Sequence, residues 1–261
     1  MANTIKIKDN RSTYPGGKGG SGVHQNIINL IPPHEVYIET HLGGGYILRK
    51  KRPAATNIGI DLDPEVIKAW DRSGICKNNE WIRQPSPEIK SGDDGQYFNF
   101  IKDDATRYLK KYQFTGNEFV YADPPYLRKI RKGPRKLYDY EMTDQDHMKL
   151  LSCLHAIPAK IMISGYWSSL YMDMLPGWNT HNFEAQTRNG MATEWLWFNY
   201  PVPEILHDYS FLGANFRERE RIKKKRDRWV SRLLRIPALE RNAMVESLKN
   251  CQHQELKTNE G

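Results

Sequence analysis

The chain has 261 residues, 39% hydrophobic and 27% charged, which is enough to bury a core and too apolar for a disordered polymer. No apolar stretch approaches the ~20 residues of a membrane span, and the amino-terminal MANTIKIKDNRSTYPGG lacks the continuous apolar core of a secretory signal, so a cytoplasmic protein is expected. Net charge is +8, but ten Lys/Arg against three Asp/Glu fall between Asn215 and Arg235, which concentrates nearly all of it in one element and points to a polyanionic partner. Cys76, Cys153 and Cys251 form no CxxC pair, so inert thiols and no metal site are expected.

In chain order, TYPGGKGG comes first. A P-loop needs Ser or Thr after the lysine, but Lys18 precedes Gly19; a lysine in such a turn can instead pair with a carboxylate. EVYIETHL (35–42) reads as a strand that ends in Gly43, Gly44 and Gly45 and enters a helix, where glycines admit a ligand close to the backbone and the helix start favours electronegative groups. NIGIDL (57–62) is a second strand and ends on Asp61, the place where Rossmann-like folds carry the ribose-binding carboxylate. Tyr46 and Leu48 break the GxGxxG spacing, which disfavours a nicotinamide dinucleotide. After a helix over DPEVIKAW, the strand FNFI (98–101) leads to Asp103 and Asp104, followed by the helix DATRYLKKY. The strand EFVYA (118–122) runs into Asp123, Pro124, Pro125 and Tyr126. Thr143 and Asp146 have the spacing of a helix cap ahead of KLLSCLHAI, so that acidic cluster reads as capping. KIMISGY (160–166) is a further strand, WSSLYMDML a helix, and WNTHNFEA with TEWLWFNYP a hairpin that closes the sheet. From Tyr209 onward two helices are expected, separated near Pro237.

Strands alternating with helices imply an α/β fold: a mostly parallel sheet, covered on both faces, with ligands at the carboxyl ends of its strands near the topological switch point. The residues that matter there include Asp123-Pro124-Pro125-Tyr126. The exocyclic amine of a nucleobase is a poor nucleophile because its lone pair is delocalised into the ring. A carboxylate such as Asp123, with the Pro124 carbonyl as a second acceptor, can grip the amine hydrogens and stabilise the positive charge that develops. Tyr126 offers a stacking face worth ~1–3 kcal/mol to a base extruded from its helix. Arg128, Lys129, Arg131, Lys132, Arg135 and Lys136 follow at once, where phosphates would lie.

These residues resemble the DNA adenine methylase family. YPGGKGG is similar to its amino-terminal cofactor motif, ETHLGGGYIL to its glycine loop, GIDLD to its ribose-binding strand end and DDATRYL to the segment whose acid faces the cofactor's adenine. DPPY is similar to its catalytic motif, ISGY and TEWLWFNYP to later sheet motifs, and FRERERIKKKRDRW to a basic extension of phage- or prophage-type members. The resemblance spans Tyr14 to Pro201. It implies a Rossmann-like class I methyltransferase over 1–208, with a reduced recognition region at 64–103 and a basic helical extension over 209–261. It also implies S-adenosylmethionine as cofactor and adenine-containing DNA as partner. Tyr14, Gly17 and Lys18 would hold the methionine part, with Lys18 on its carboxylate. Glu39, His41 and the glycines would line the pocket, Asp61 would take the ribose hydroxyls, and Asp104, or its neighbour Asp103, would face the adenine. The family usually has Glu-Pro-Phe where this chain has Glu39-Thr40-His41, which is expected to weaken cofactor binding or make it pH-dependent. The interval 64–103, where larger members carry target recognition, is only 40 residues. RNA adenine, the cytosine amine, and a nucleic-acid-binding protein that keeps the fold are the rival readings.

Overall fold

The computed structural model describes residues 17–72, 96–131, 137–187 and 190–258. Tyr14, Lys132, Arg135, Lys136 and most of the loop expected within 64–103 lie outside them. The order is α1 (Val23–Ile28), β1 (Val36–Thr40), α2 (Tyr46–Lys50), β2 (Thr56–Asp61), α3 (Pro64–Arg72), β3 (Tyr97–Lys102), α4 (Ala105–Lys111) and β4 (Glu118–Ala122). There follow α5 (Asp144–Ala156), β5 (Lys160–Gly165), α6 (Ser169–Met174), β6 (Asn179–Thr187), β7 (Gly190–Phe198), α7 (Phe216–Leu233) and α8 (Ala238–Thr258).

The seven strands form one sheet in the order β3-β2-β1-β4-β5-β7-β6. Strands β1 to β5 pair parallel, and β7 pairs antiparallel with both β5 and β6. This is an α/β, Rossmann-like arrangement, closed by the expected hairpin. Order reverses between β1 and β4, which opens a crevice at their carboxyl ends. The central strands can occupy the middle because they are apolar on both faces: all five residues of β4 are buried.

Two apolar layers flank the sheet. One gathers Ile27, Ile47 and Trp70 on α1, α2 and α3, with Ile31 after α1 and Phe198 on β7; the other gathers Leu109, Leu150, Leu154 and Tyr171 on α4, α5 and α6. Helix α5 carries the expected cap as a full capping box, with Thr143 and Asp146 bonding each other's backbone N–H. Residues 206–208 return to the sheet's opposite end: the His207 N–H donates to the Ile31 carbonyl at 2.9 Å, and the Arg52 N–H donates to Asp208 at 2.8 Å. By its contacts the chain divides into Met1–Phe211 and Leu212–Gly261. The second unit holds α7 and α8; Asn215 caps α7, which buries no side chain, in keeping with its charge. No described helix is long and apolar enough to cross a membrane.

Candidate active site

The carboxyl ends of β1, β2, β3 and β4 open into a cleft of about 1340 Å³. Gly17, Lys18, Glu39, His41, Gly43, Gly44, Gly45, Asp61, Asp103, Asp104, Asp123, Pro125 and Tyr126 all line it. Residues more than 100 positions apart in the chain therefore share one wall, as the strand-end reading requires. Pro124 is buried beside them without lining the cleft.

At the β4 end, Asp123 Oδ1 accepts from Lys18 Nζ at 2.6 Å and from Ser164 Oγ at 2.9 Å. Ser164 in turn meets the Tyr121 hydroxyl at 3.0 Å. Lys18 also donates to the Tyr126 hydroxyl at 2.7 Å and lies 3.4 Å from Glu194 Oε1. The Tyr126 hydroxyl donates to Glu194, and its ring meets Tyr166 edge-on, centroids 4.7 Å apart. Burial alone would lower the Lys18 pKa, but Asp123 and Glu194 outweigh it and hold the ammonium above its ordinary range. Lys18 thus pairs with the carboxylate of the DPPY segment.

At the β1 and β2 ends the backbone is shaped by the glycines. Gly45 has φ +52°, and a Cβ there would lie 2.3 Å from Trp70, whose indole N–H donates to the Gly43 carbonyl at 2.9 Å. The Gly43 N–H donates to Asp61 at 2.8 Å, and the other Asp61 oxygen accepts from the Asp63 N–H at 2.9 Å, so the acid is fixed at the lip of the crevice. Burial raises its pKa against these bonds. Glu39 shares a strand face with Tyr37, two residues back, whose hydroxyl donates to it at 2.7 Å; the Leu48 N–H adds a second bond at 2.9 Å. Burial, aided by Asp123, still carries the Glu39 carboxyl to about 7. His41, at φ +58°, rests its Nδ1 3.1 Å from the Thr40 hydroxyl, and burial lowers its pKa to about 4. A pH dependence carried by this imidazole would therefore fall near pH 4. Asp104 caps α4 by accepting from the Arg107 N–H at 2.8 Å, while Asp103 pairs with the Arg107 guanidinium.

The basic run fares differently. Arg128 and Lys129 are exposed, Lys129 pairing with Asp144 at 2.6 Å, but Arg131 turns inward onto Glu141 and both side chains are largely buried. Arg131 therefore pairs within the loop, and among the described residues Arg128 and Lys129 are the exposed members of the basic run. Sequence reading missed Ser164, Tyr166 and Glu194 as site residues. The signal for Glu194 was present: an acid within the otherwise apolar run of TEWLWF, where β7 enters the core.

No family model matches the chain, and no curated protein matches it. Among solved structures it is similar to precorrin 8W decarboxylase of Methanobacterium thermoautotrophicum, with 12% identity over 71% of this chain and 92% of that one and a TM-score of 0.42. An S-adenosylmethionine-dependent methyltransferase of Methanosarcina mazei gives 10% identity, 66% and 95% coverage and a TM-score of 0.42. TrmK of M. capricolum, in complex with S-adenosyl-homocysteine, gives 12%, 87%, 95% and 0.41. Likenesses this loose carry no activity or substrate; the strand order itself defines the fold.

Proposed function

We propose that the protein transfers the methyl group of S-adenosylmethionine to the N6 amine of an adenine extruded from DNA. The observation that carries this reading is the Asp123 carboxylate at the end of β4, held by Ser164 and Lys18 beside the Tyr126 ring and opening onto an acid-lined cleft. When bound, the cofactor supplies an electrophilic methyl on a sulfonium. The donor set fits such a group: Glu39, Asp61, Asp103 and Asp104 favour a cation bearing hydroxyls and an amine over an anionic one. Asp61 would take the ribose hydroxyls, Glu39 and the glycine turn the methionine end, and Asp104 or Asp103 the adenine.

Asp123 then accepts from the target amine, orients its lone pair and offsets the positive charge that grows on nitrogen. Tyr126 stacks the base, and Arg128 and Lys129 meet the adjoining phosphates. The ten Lys/Arg between Asn215 and Arg235 suit the same polyanion. Incubation with tritiated S-adenosylmethionine, duplex DNA of mixed sequence and, separately, RNA, followed by nucleoside analysis, tests this. N6-methyladenine in DNA is expected, absent with Asp123→Ala, which still binds S-adenosylhomocysteine. Methylated RNA alone reassigns the substrate, and no methylated base overturns the proposal.

A further inference from the structure

We infer that Glu194 is a positioning residue for this transfer: it fixes the Tyr126 ring, and by sharing Lys18 it keeps the Asp123 carboxylate from being neutralised. The inference rests on the reading of the site as an amine methyltransferase.

Glu194 enters from β7, opposite Phe183 on β6, and lies on the strand face that continues through Leu196 and Phe198 into the apolar core. A carboxylate in that setting is costly unless paired. Its pairing is with two groups that touch the reaction centre. The Tyr126 hydroxyl donates to Glu194 and accepts from Lys18, so the phenol is held at both its donor and its acceptor side, and the ring plane is set with it. Lys18 stands 2.6 Å from Asp123 and 3.4 Å from Glu194, one ammonium between two carboxylates. Burial raises the Glu194 pKa, and Lys18 and the Tyr126 hydroxyl oppose that shift; with both carboxylates ionised the trio has a net charge of −1. Without the Glu194 charge the ammonium would cancel Asp123 alone, and the site would lose the negative potential that favours both a sulfonium and a positively charged amine.

A carboxylate that only closed the core would affect stability and leave the division between binding and rate untouched. Two substitutions separate the roles. Glu194→Gln keeps an acceptor for the Tyr126 hydroxyl and removes the charge; Glu194→Ala removes both. Glu194→Gln is expected to slow single-turnover methylation on the order of 10- to 100-fold, with affinity for S-adenosylhomocysteine, measured by calorimetry, within about 3-fold. Glu194→Ala should slow it further and also sharpen the Tyr126 ring resonances, identified by their loss in Tyr126→Phe, as the freed ring flips faster; Glu194→Gln should leave them as in the wild type. A wild-type rate in Glu194→Gln, or equal losses in rate and affinity, overturns the charge role. Unchanged Tyr126 resonances in Glu194→Ala overturn the ring role. A wild-type protein that methylates nothing overturns the methyltransferase reading instead, and the ring resonances, which need neither cofactor nor substrate, still decide whether Glu194 positions Tyr126.

Discussion

Replacing Glu39 by glutamine separates what the site needs from what the fold prefers. Burial is the main cause of the raised Glu39 pKa, Asp123 adds to it, and the bonds from Tyr37 and Leu48 oppose it, leaving a value of about 7 against 4.5. The folded state therefore binds this proton more tightly than the unfolded chain. Stability linked to it is fully present below about 4.5 and is lost as pH rises through about 7. The shift amounts to about 3 kcal/mol at most. Glutamine keeps an acceptor for the Tyr37 hydroxyl and the Leu48 N–H but cannot ionise. Glu39→Gln should match the wild type near pH 4 and exceed it at pH 8 by up to about 3 kcal/mol, roughly 6–12 °C in melting temperature. Affinity for S-adenosylhomocysteine should change the other way: the wild type gains affinity as Glu39 ionises, and the variant does not. Urea denaturation and calorimetry at pH 5 and pH 8 read both. A variant no more stable than the wild type at pH 8, or one offset by the same amount at both pH values, refutes the reasoning.

Gly45→Ala forces a Cβ into Trp70 at φ +52°. Left-handed strain and overpacking together should cost about 2–5 kcal/mol. The control Gly116→Ala, at φ +92° with nothing within 4 Å of the new Cβ, should cost only the strain. Comparable losses in chemical denaturation would remove Trp70 from the account. His41→Phe should alter affinity for S-adenosylhomocysteine by a ratio that stays constant from pH 5.5 to 8, because the imidazole, with its pKa near 4, is already neutral there. A ratio that drifts across that window would place His41 in a more polar setting than the structure gives it.

The parallel strands were legible because each is a short apolar run, and the strand-end acids because topology assigns ligands to that edge. Helix α1 was not foreseen: VHQNII is a single short stretch entered from Gly22 in a left-handed conformation, with no side-chain cap to announce it. The turn after β1 was legible as glycine, but its reason, the indole of Trp70 beneath Gly45, lies 25 residues away. The sequence also left Lys18 with several carboxylates to choose from, and only the fold decides for Asp123 and Glu194. Arg131 shows the same limit in reverse. Charge in a sequence states what a side chain offers, and Glu141, ten residues on, absorbs it.

The antiparallel return of β7 also has a consequence for how the molecule is made. Glu194 is among the last residues of the sheet to emerge during synthesis, yet it joins Lys18, from the chain's first glycine turn, and Tyr126, 68 residues upstream. Contacts of such sequence separation form late, after the loop entropy between them has been overcome. A nascent chain that ends before β7 can pair β1 to β5, but it holds Lys18 and Asp123 without the second carboxylate and Tyr126 without its anchor. Completion of the sheet and completion of the cluster of Lys18, Asp123, Tyr126 and Glu194 thus depend on the same late pairing of β7.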